Sequence, residues 1–307
     1  MNRTPTTCLA VVAMALPAAA LAATHAATAM SPQVTPHPAI DVAKLWDFRE
    51  PALSEQRFRD ALVGASADEA LILQTQIARS HGLRNDFVRA REVLAAIAPQ
   101  ALLASPEAKT RYWLELGRSH VSAAHSAETL TAQALAQARS HYAIAFETAK
   151  AGALDALVID ALHMMAFVDT APADQLAWNL LALAHLEAST QADARQWEAS
   201  PRHNTGQALH QLGRYDEAIT QFKASADARQ RAGNLRGVRI AQWMQAHSLR
   251  MQGKLESALN IQLQLEREWA AAGEADRYVF EELAALYRAL GDGARARGYA
   301  HKSKPAP

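Results

Sequence analysis

Twelve histidines among 307 residues are the first groups to ask for chemistry, because neutral imidazole binds metals and titrates near neutral pH. Three of them, His120, His125 and His141, gather in the middle of the chain. His120 and His125 stand five residues apart, which on a helix turns them about 140° away from each other; a shared metal needs the four-residue spacing of one face. A structural or solvated role fits them better, and no metal or cofactor is expected. The only cysteine is Cys8, so the chain beyond it offers neither a thiol nucleophile nor a thiolate ligand. There is no G-x-S-x-G, no H-E-x-x-H, no phosphate-binding glycine loop and no calcium loop. Catalysis needs nucleophile, base and charge stabiliser in one place, and with none of them announced the chain is expected not to be an enzyme.

Charge narrows the partners. Lysine plus arginine, 31, equals aspartate plus glutamate, 31, so nothing draws the whole molecule to nucleic acid or to an anionic membrane. A half-apolar, one-fifth charged composition argues against disorder. Residues 1–23 read as a signal peptide: Arg3, an apolar run from Cys8 to Leu16, Pro17, and the small-x-small site Ala20-Leu21-Ala22. Nine apolar residues reach about 14 Å as a helix, half of what a span requires. Cys8 precedes the run, whereas a lipid-modified cysteine must follow it. The expectation is export, to the periplasm or the medium, with no stable membrane insertion after the signal is removed. Residues 24–39, with Pro32, Pro36 and Pro38, read as a flexible tether, and residues 305–307 as a tail.

The elements that must position any site are helices. From Ile40 to about Ala300 the apolar residues recur at helical spacing, punctuated by Gly or Pro. In 204–222, Tyr215, Ala218, Ile219 and Phe222 form one apolar stripe, Gly213 ends the helix before it, and small Gly206 and Ala218 permit close helix approach. Related patterns return at Gly253-Lys254-Leu255-Glu256-Ser257-Ala258 and at Leu290-Gly291-Asp292-Gly293-Ala294-Arg295-Ala296. Weaker copies place second-helix alanines at 90, 138 and 177, so the series 90, 138, 177, 218, 258, 296 advances by 48, 39, 41, 40 and 38. An insertion around 123–133 accounts for the longest step.

Gly206, Gly213, Tyr215, Ala218 and Phe222 together resemble the tetratricopeptide repeat, in a variant whose period of about 40 exceeds the usual 34. The resemblance implies an all-α, right-handed superhelical solenoid of antiparallel helix pairs, about six of them over 67–304, with 40–66 as N-terminal capping helices. The match departs from the family where Arg202 replaces a first-helix tryptophan and where Pro201 interrupts the run from Ala192.

In that family the first helices line a concave groove. Counting three before, one after and four after the small positions Gly117, Gly206, Ala246 and Ala284 gives Leu114, Arg118, Val121; His203, Gln207, His210; Trp243, His247, Arg250; and Glu281, Ala285, Arg288. His163 falls at one of two adjacent groove positions, and Asn204 and Glu282 neighbour the rows. Tryptophan, arginine and amides suit an extended peptide or a helix, since arginine forks onto carboxylates and tryptophan supplies area at low entropy cost. Glu281 and Glu282 oppose the arginines, so a uniformly acidic ligand is not implied. An ordinary solvated face, with Trp243 packed between helices, fits the same residues. Three functions follow: an exported module holding a protein or peptide partner, with oligomeric state open; a scaffold assembling through its ends; and, less favoured, an enzyme or small-molecule receptor using the histidines.

Overall fold

Several helices of this chain begin where a side chain takes up a free N–H group of the first turn. Ser66 and Glu69 form a reciprocal capping box, and Asp86, Ser105, Thr131 and Asp292 each accept from a backbone N–H three residues on. The computed structural model describes residues 40–304; the expected signal peptide, tether and tail lie outside the described residues.

Two short elements come first, α1 (Val42–Leu45) and α2 (Pro51–Ala61). Three helix pairs follow: α3 (Ala67–Leu83) with α4 (Phe87–Ala101), α5 (Pro106–Arg118) with α6 (Ala132–Ala151), and α7 (Asp155–Val168) with α8 (Pro172–Ala188). After the single turn α9 (Ala192–Arg195) come α10 (Ala199–Gln211) with α11 (Tyr215–Arg231), α12 (Leu235–Met251) with α13 (Leu255–Ala271), and α14 (Arg277–Ala289) with α15 (Gly293–Lys302). No strand occurs among the described residues. Each second helix packs on its own first helix and on the first helix of the next pair, so the fold is an all-α solenoid of antiparallel pairs.

The turns explain why the last repeats read most clearly. Gly213 sits at φ +75°, its N–H bonding the His210 carbonyl at 3.0 Å while Arg214 N–H reaches the Leu209 carbonyl at 2.9 Å. This closes the helix end in the left-handed conformation that glycine adopts without strain. The same device ends α3 with Asn85, at φ +63°, one of the few other residues that tolerates it.

Inside two of the pairs, a glycine of the first helix receives a ring of the second. A Cβ on Gly206 would lie 2.7 Å from Phe222 Cε1, and one on Gly117 would lie 2.4 Å from Tyr142 Cε1. Both rings are fully buried, and Tyr142 donates its hydroxyl to the Val121 carbonyl. The second-helix alanines 90, 138, 218, 258 and 296 are buried as the frame requires, but Ala177 is exposed. In α8 the buried positions are Leu176, Asn179, Ala182, Leu183 and Leu186, so the alanine there reflects the abundance of alanine and not the repeat. Pro201 is the third residue of α10, where a missing N–H breaks no helical bond. Phe58 of α2 is buried in a cluster with Leu73 and Ile77 of α3, against which Trp46 packs.

Candidate partner-binding groove

The first helices α3, α5, α7, α10, α12 and α14 are joined to one another by side chains from one shared face. At the N-terminal half the links are ionic. Arg79 of α3 lies 3.9 Å from Glu115 of α5, and Arg118 of α5 pairs with both Glu115 and Asp160 of α7. Glu115 and Asp160 are 3% and 4% exposed at the side chain, so these charges persist only because they neutralise one another. Burial works against ionised Asp160, but the Arg118 and Arg79 guanidiniums hold its carboxyl below the usual range. Burial likewise opposes the Arg118 cation, and Asp160 and Glu115 more than offset it. His163 continues the row to α10 through a 3.1 Å contact between its Nδ1 and Asn204 Nδ2. Burial, then the nearby guanidiniums, lower the His163 pKa against the pull of Asp160.

At the C-terminal half the links are aromatic and ionic together. The Trp243, His247 and His210 rings form a continuous stack, with centroids 5.1 Å and 4.7 Å apart. His210 Nδ1 meets Ser248 Oγ at 2.9 Å, and Trp243 Nε1 donates to the Tyr278 carbonyl at 3.0 Å. Glu282 of α14, 5% exposed at the side chain, accepts from Arg250 at 2.6 and 3.2 Å and lies 3.1 Å from His247 Nδ1. Burial opposes its charge, yet the bonds from His247 and Arg250 keep its pKa below the usual carboxylate value.

Two cavities open above this floor. One, of about 300 Å³, is lined by Arg79, Glu115, Arg118, Asp160 and His163, with Met164, Phe167 and Trp197 as apolar walls. The other, of about 390 Å³, lies among α10, α12 and α14, with His203, Gln207, Arg236, Arg239, Trp243, Trp269 and Tyr278 around it. Arg239 and Arg236 stand 4.6 and 5.0 Å over the Trp269 ring. Burial, with Arg229 nearby, pushes the His203 pKa down to about 4, and its Nδ1 is buried without a partner.

The groove residues expected from the repeat frame divide accordingly. Arg118, His163, His203, Gln207 and Trp243 line the cavities. Asn204, His210, His247 and Arg250 bridge neighbouring first helices, and Glu281 and Arg288 are exposed outside both cavities. Three expectations are corrected. Leu114 and Val121 are each 1% exposed in the core: Leu114 lies on the face of α5 that packs into the cluster around Tyr142, and Val121 follows the end of α5, where the chain turns inward and its carbonyl accepts from the Tyr142 hydroxyl. The carboxylate opposing Arg250 is Glu282, while Glu281 faces Arg277 at 3.9 Å. The groove histidines His163, His203 and His210 are partly buried, not solvated.

Arg79, Glu115, Asp160 and Trp197 were not anticipated. Extending the frame to Ala78 would have found Arg79, one residue after a small position as Arg118 follows Gly117. Asp160 also left a signal, an acid three residues before His163 and the only charged residue of α7 besides Asp155 in its first turn. Trp197 sits between α9 and α10, outside any repeat position, and nothing in the frame marks it.

No family model and no curated protein sequence matches the chain. Among solved structures it is similar to a signal-transduction ATPase with numerous domains that carries a tetratricopeptide repeat sensor, from Pyrococcus horikoshii. That likeness has TM-score 0.62 and 13% identity over 82% of this chain and 38% of the other, so the chain spans well under half of that protein. BtubC of P. vanneervenii, at TM-score 0.41 and 12% identity over 87% and 95% of the two chains, is too distant to carry an argument. The same holds for the apo quorum sensor NprR of B. thuringiensis, at TM-score 0.35 and 12% identity over 85% and 96%. What the first likeness shows is the fold, a tetratricopeptide-like helical repeat.

Proposed function

We propose that the chain is an exported, non-catalytic interaction module that holds a protein or peptide along the shared face of its first helices. The observation that carries this reading is the pair of cavities on that face, each built from three successive helix pairs and each offering tryptophan beside arginine. Aromatic and guanidinium groups in a recess are the usual anchors of a protein interface. Apart from His203 Nδ1, the polar groups that bridge the first helices are bonded to one another, so the floor stays ordered without a ligand and a partner meets a preformed surface. A shared fold with a repeat sensor agrees with recognition as the task. Export rests on the N-terminal sequence, and among the described residues no helix is long and apolar enough to cross a membrane.

The test is site-specific photo-crosslinking in living cells. A photoreactive residue at Gln207, exposed at the rim of the larger cavity, should capture a discrete partner, and one at Lys223 on the outer helix α11 should not. For that partner, Trp243→Ala should weaken affinity by about 2 kcal/mol or more, with Lys223→Ala unchanged. Equal capture at both positions would refute the groove. Adducts containing only a second copy of the chain would favour end-to-end assembly instead.

A further inference from the structure

A third recess, larger than the two groove cavities, lies outside the groove floor. It is about 910 Å³ in volume and is formed where α8 and α11 end and α10 and α12 begin, sharing only Arg236 and Ile240 with the larger groove cavity. Five guanidiniums line it, from Arg195, Arg202, Arg229, Arg231 and Arg236, against two carboxylates, Glu187 and Glu198. In a chain with equal numbers of acids and bases, that local excess is not inherited from composition.

The pairing inside the recess is incomplete. Glu198 bridges Arg202 at 3.0 Å and Arg231 at 2.7 Å, which fixes two guanidiniums but neutralises only one charge. Arg236 is taken by Glu274 at 2.9 Å. Arg195 has no ion-pair partner among the described residues, and Arg229 bonds only the Gly237 carbonyl, at 2.7 Å. Arg229 is partly buried, and that burial lowers its pKa with no carboxylate to offset it. Its position is also shaped by the fold: a Cβ on Gly237 would lie 2.7 Å from Arg229 Cδ, so glycine is what lets the arginine stem lie across the start of α12. A half-buried cation facing a recess without an anion is the arrangement that a bound oxyanion completes.

We propose that this recess binds a small multivalent oxyanion, with Arg229 and Arg195 as its principal contacts and the Arg202–Glu198–Arg231 triad as a rigid wall. The recess has room for a molecule with two or more phosphoryl or carboxyl groups, and its guanidinium excess favours one that carries more than a single negative charge. Arg229 and Arg195 line neither groove cavity, so the site stands or falls independently of the peptide groove.

The experiment is calorimetric titration of the whole chain with inorganic pyrophosphate at fixed ionic strength. One saturable site is expected, tighter than for inorganic phosphate and weakening as sodium chloride rises. Arg229→Met and Arg195→Gln should each weaken it about tenfold or more, the loss expected when a charge-assisted bond is removed. Arg195 is exposed, so its variant keeps the test decisive should Arg229→Met fold poorly. Glu187→Gln should tighten binding, and Arg267→Gln, exposed on α13 and remote from the recess, should leave it unchanged. Citrate binding with the same losses would support the site and extend its ligands to carboxylates. Absence of saturable binding at millimolar pyrophosphate, or unchanged affinity in Arg195→Gln, would overturn the proposal.

Discussion

Adding one methyl group at Gly117 should destabilise the second repeat, although alanine is the better helix former. The Cβ would lie 2.4, 2.7 and 2.9 Å from Tyr142 Cε1, Cδ1 and Cζ, against about 3.5–4.0 Å for carbon atoms at rest. The ring cannot swing clear, because it is fully buried and its hydroxyl is bonded to the Val121 carbonyl. Overpacking of this kind costs about 1–3 kcal/mol, and the gain from replacing glycine in a helix returns about 1 kcal/mol. With three contacts under 3.0 Å on a pinned ring the overpacking cost falls in the upper part of that range, about 2–3 kcal/mol, so the net expectation for Gly117→Ala is a loss of about 1–2 kcal/mol. Gly298→Ala in α15 is the matched control, since its Cβ meets nothing within 4 Å and the change should stabilise by about 0.5–1 kcal/mol. Urea unfolding followed by far-ultraviolet circular dichroism reads both. In a Tyr142→Leu background the penalty at Gly117 should shrink, because a smaller side chain vacates the contact. A Gly117→Ala variant as stable as the parent would refute the close-approach account of this helix pair.

Arg250→Met should cost about 3 kcal/mol by leaving Glu282 buried beside His247 alone, and adding Glu282→Gln should recover most of the loss; urea midpoints of the three proteins check this. Gln262 is fully buried on α13 with neither amide atom bonded, so Gln262→Met should raise stability by about 1 kcal/mol or more in the same assay. His203 has a folded pKa of about 4 against about 6.5 unfolded. The unfolded chain therefore binds the extra proton between these values, and stability, complete above pH 6.5, is lost as pH falls toward 4. Allowing for the partial exposure of the ring, the slope from this group is about 1 kcal/mol per pH unit at most, and it should disappear in His203→Leu when unfolding is measured between pH 7 and 5.

Fold class and most of the repeat frame can be read from the amino-acid order alone, because both rest on local rules. Gly213, Gly253 and Gly291 punctuate the chain where a left-handed residue must end a helix, and Phe222 stands at fixed spacing from the glycine that receives it. Where another residue meets the same requirement the signal fades: Asn85 replaces the turn glycine, and Tyr142 takes the place of phenylalanine. The frame says which direction a helical side chain points, and to that extent it indicates the residues that line the two cavities, Arg118, His163, His203, Gln207 and Trp243. Direction does not specify company. Whether Arg250 is free for a ligand depends on Glu282, 32 residues away on another helix, and Arg118 is engaged by Asp160, 42 residues away. Glu281 and Glu282 are indistinguishable in composition, yet the rotation of α14 exposes one and buries the other. The arginine recess lies further from reach, since its side chains come from four helix ends and an intervening turn that meet only when the third, fourth and fifth pairs stack. Burial and charge pairing are properties of that stacking, in which desolvation fixes which guanidiniums must find a carboxylate, and local spacing carries no record of it.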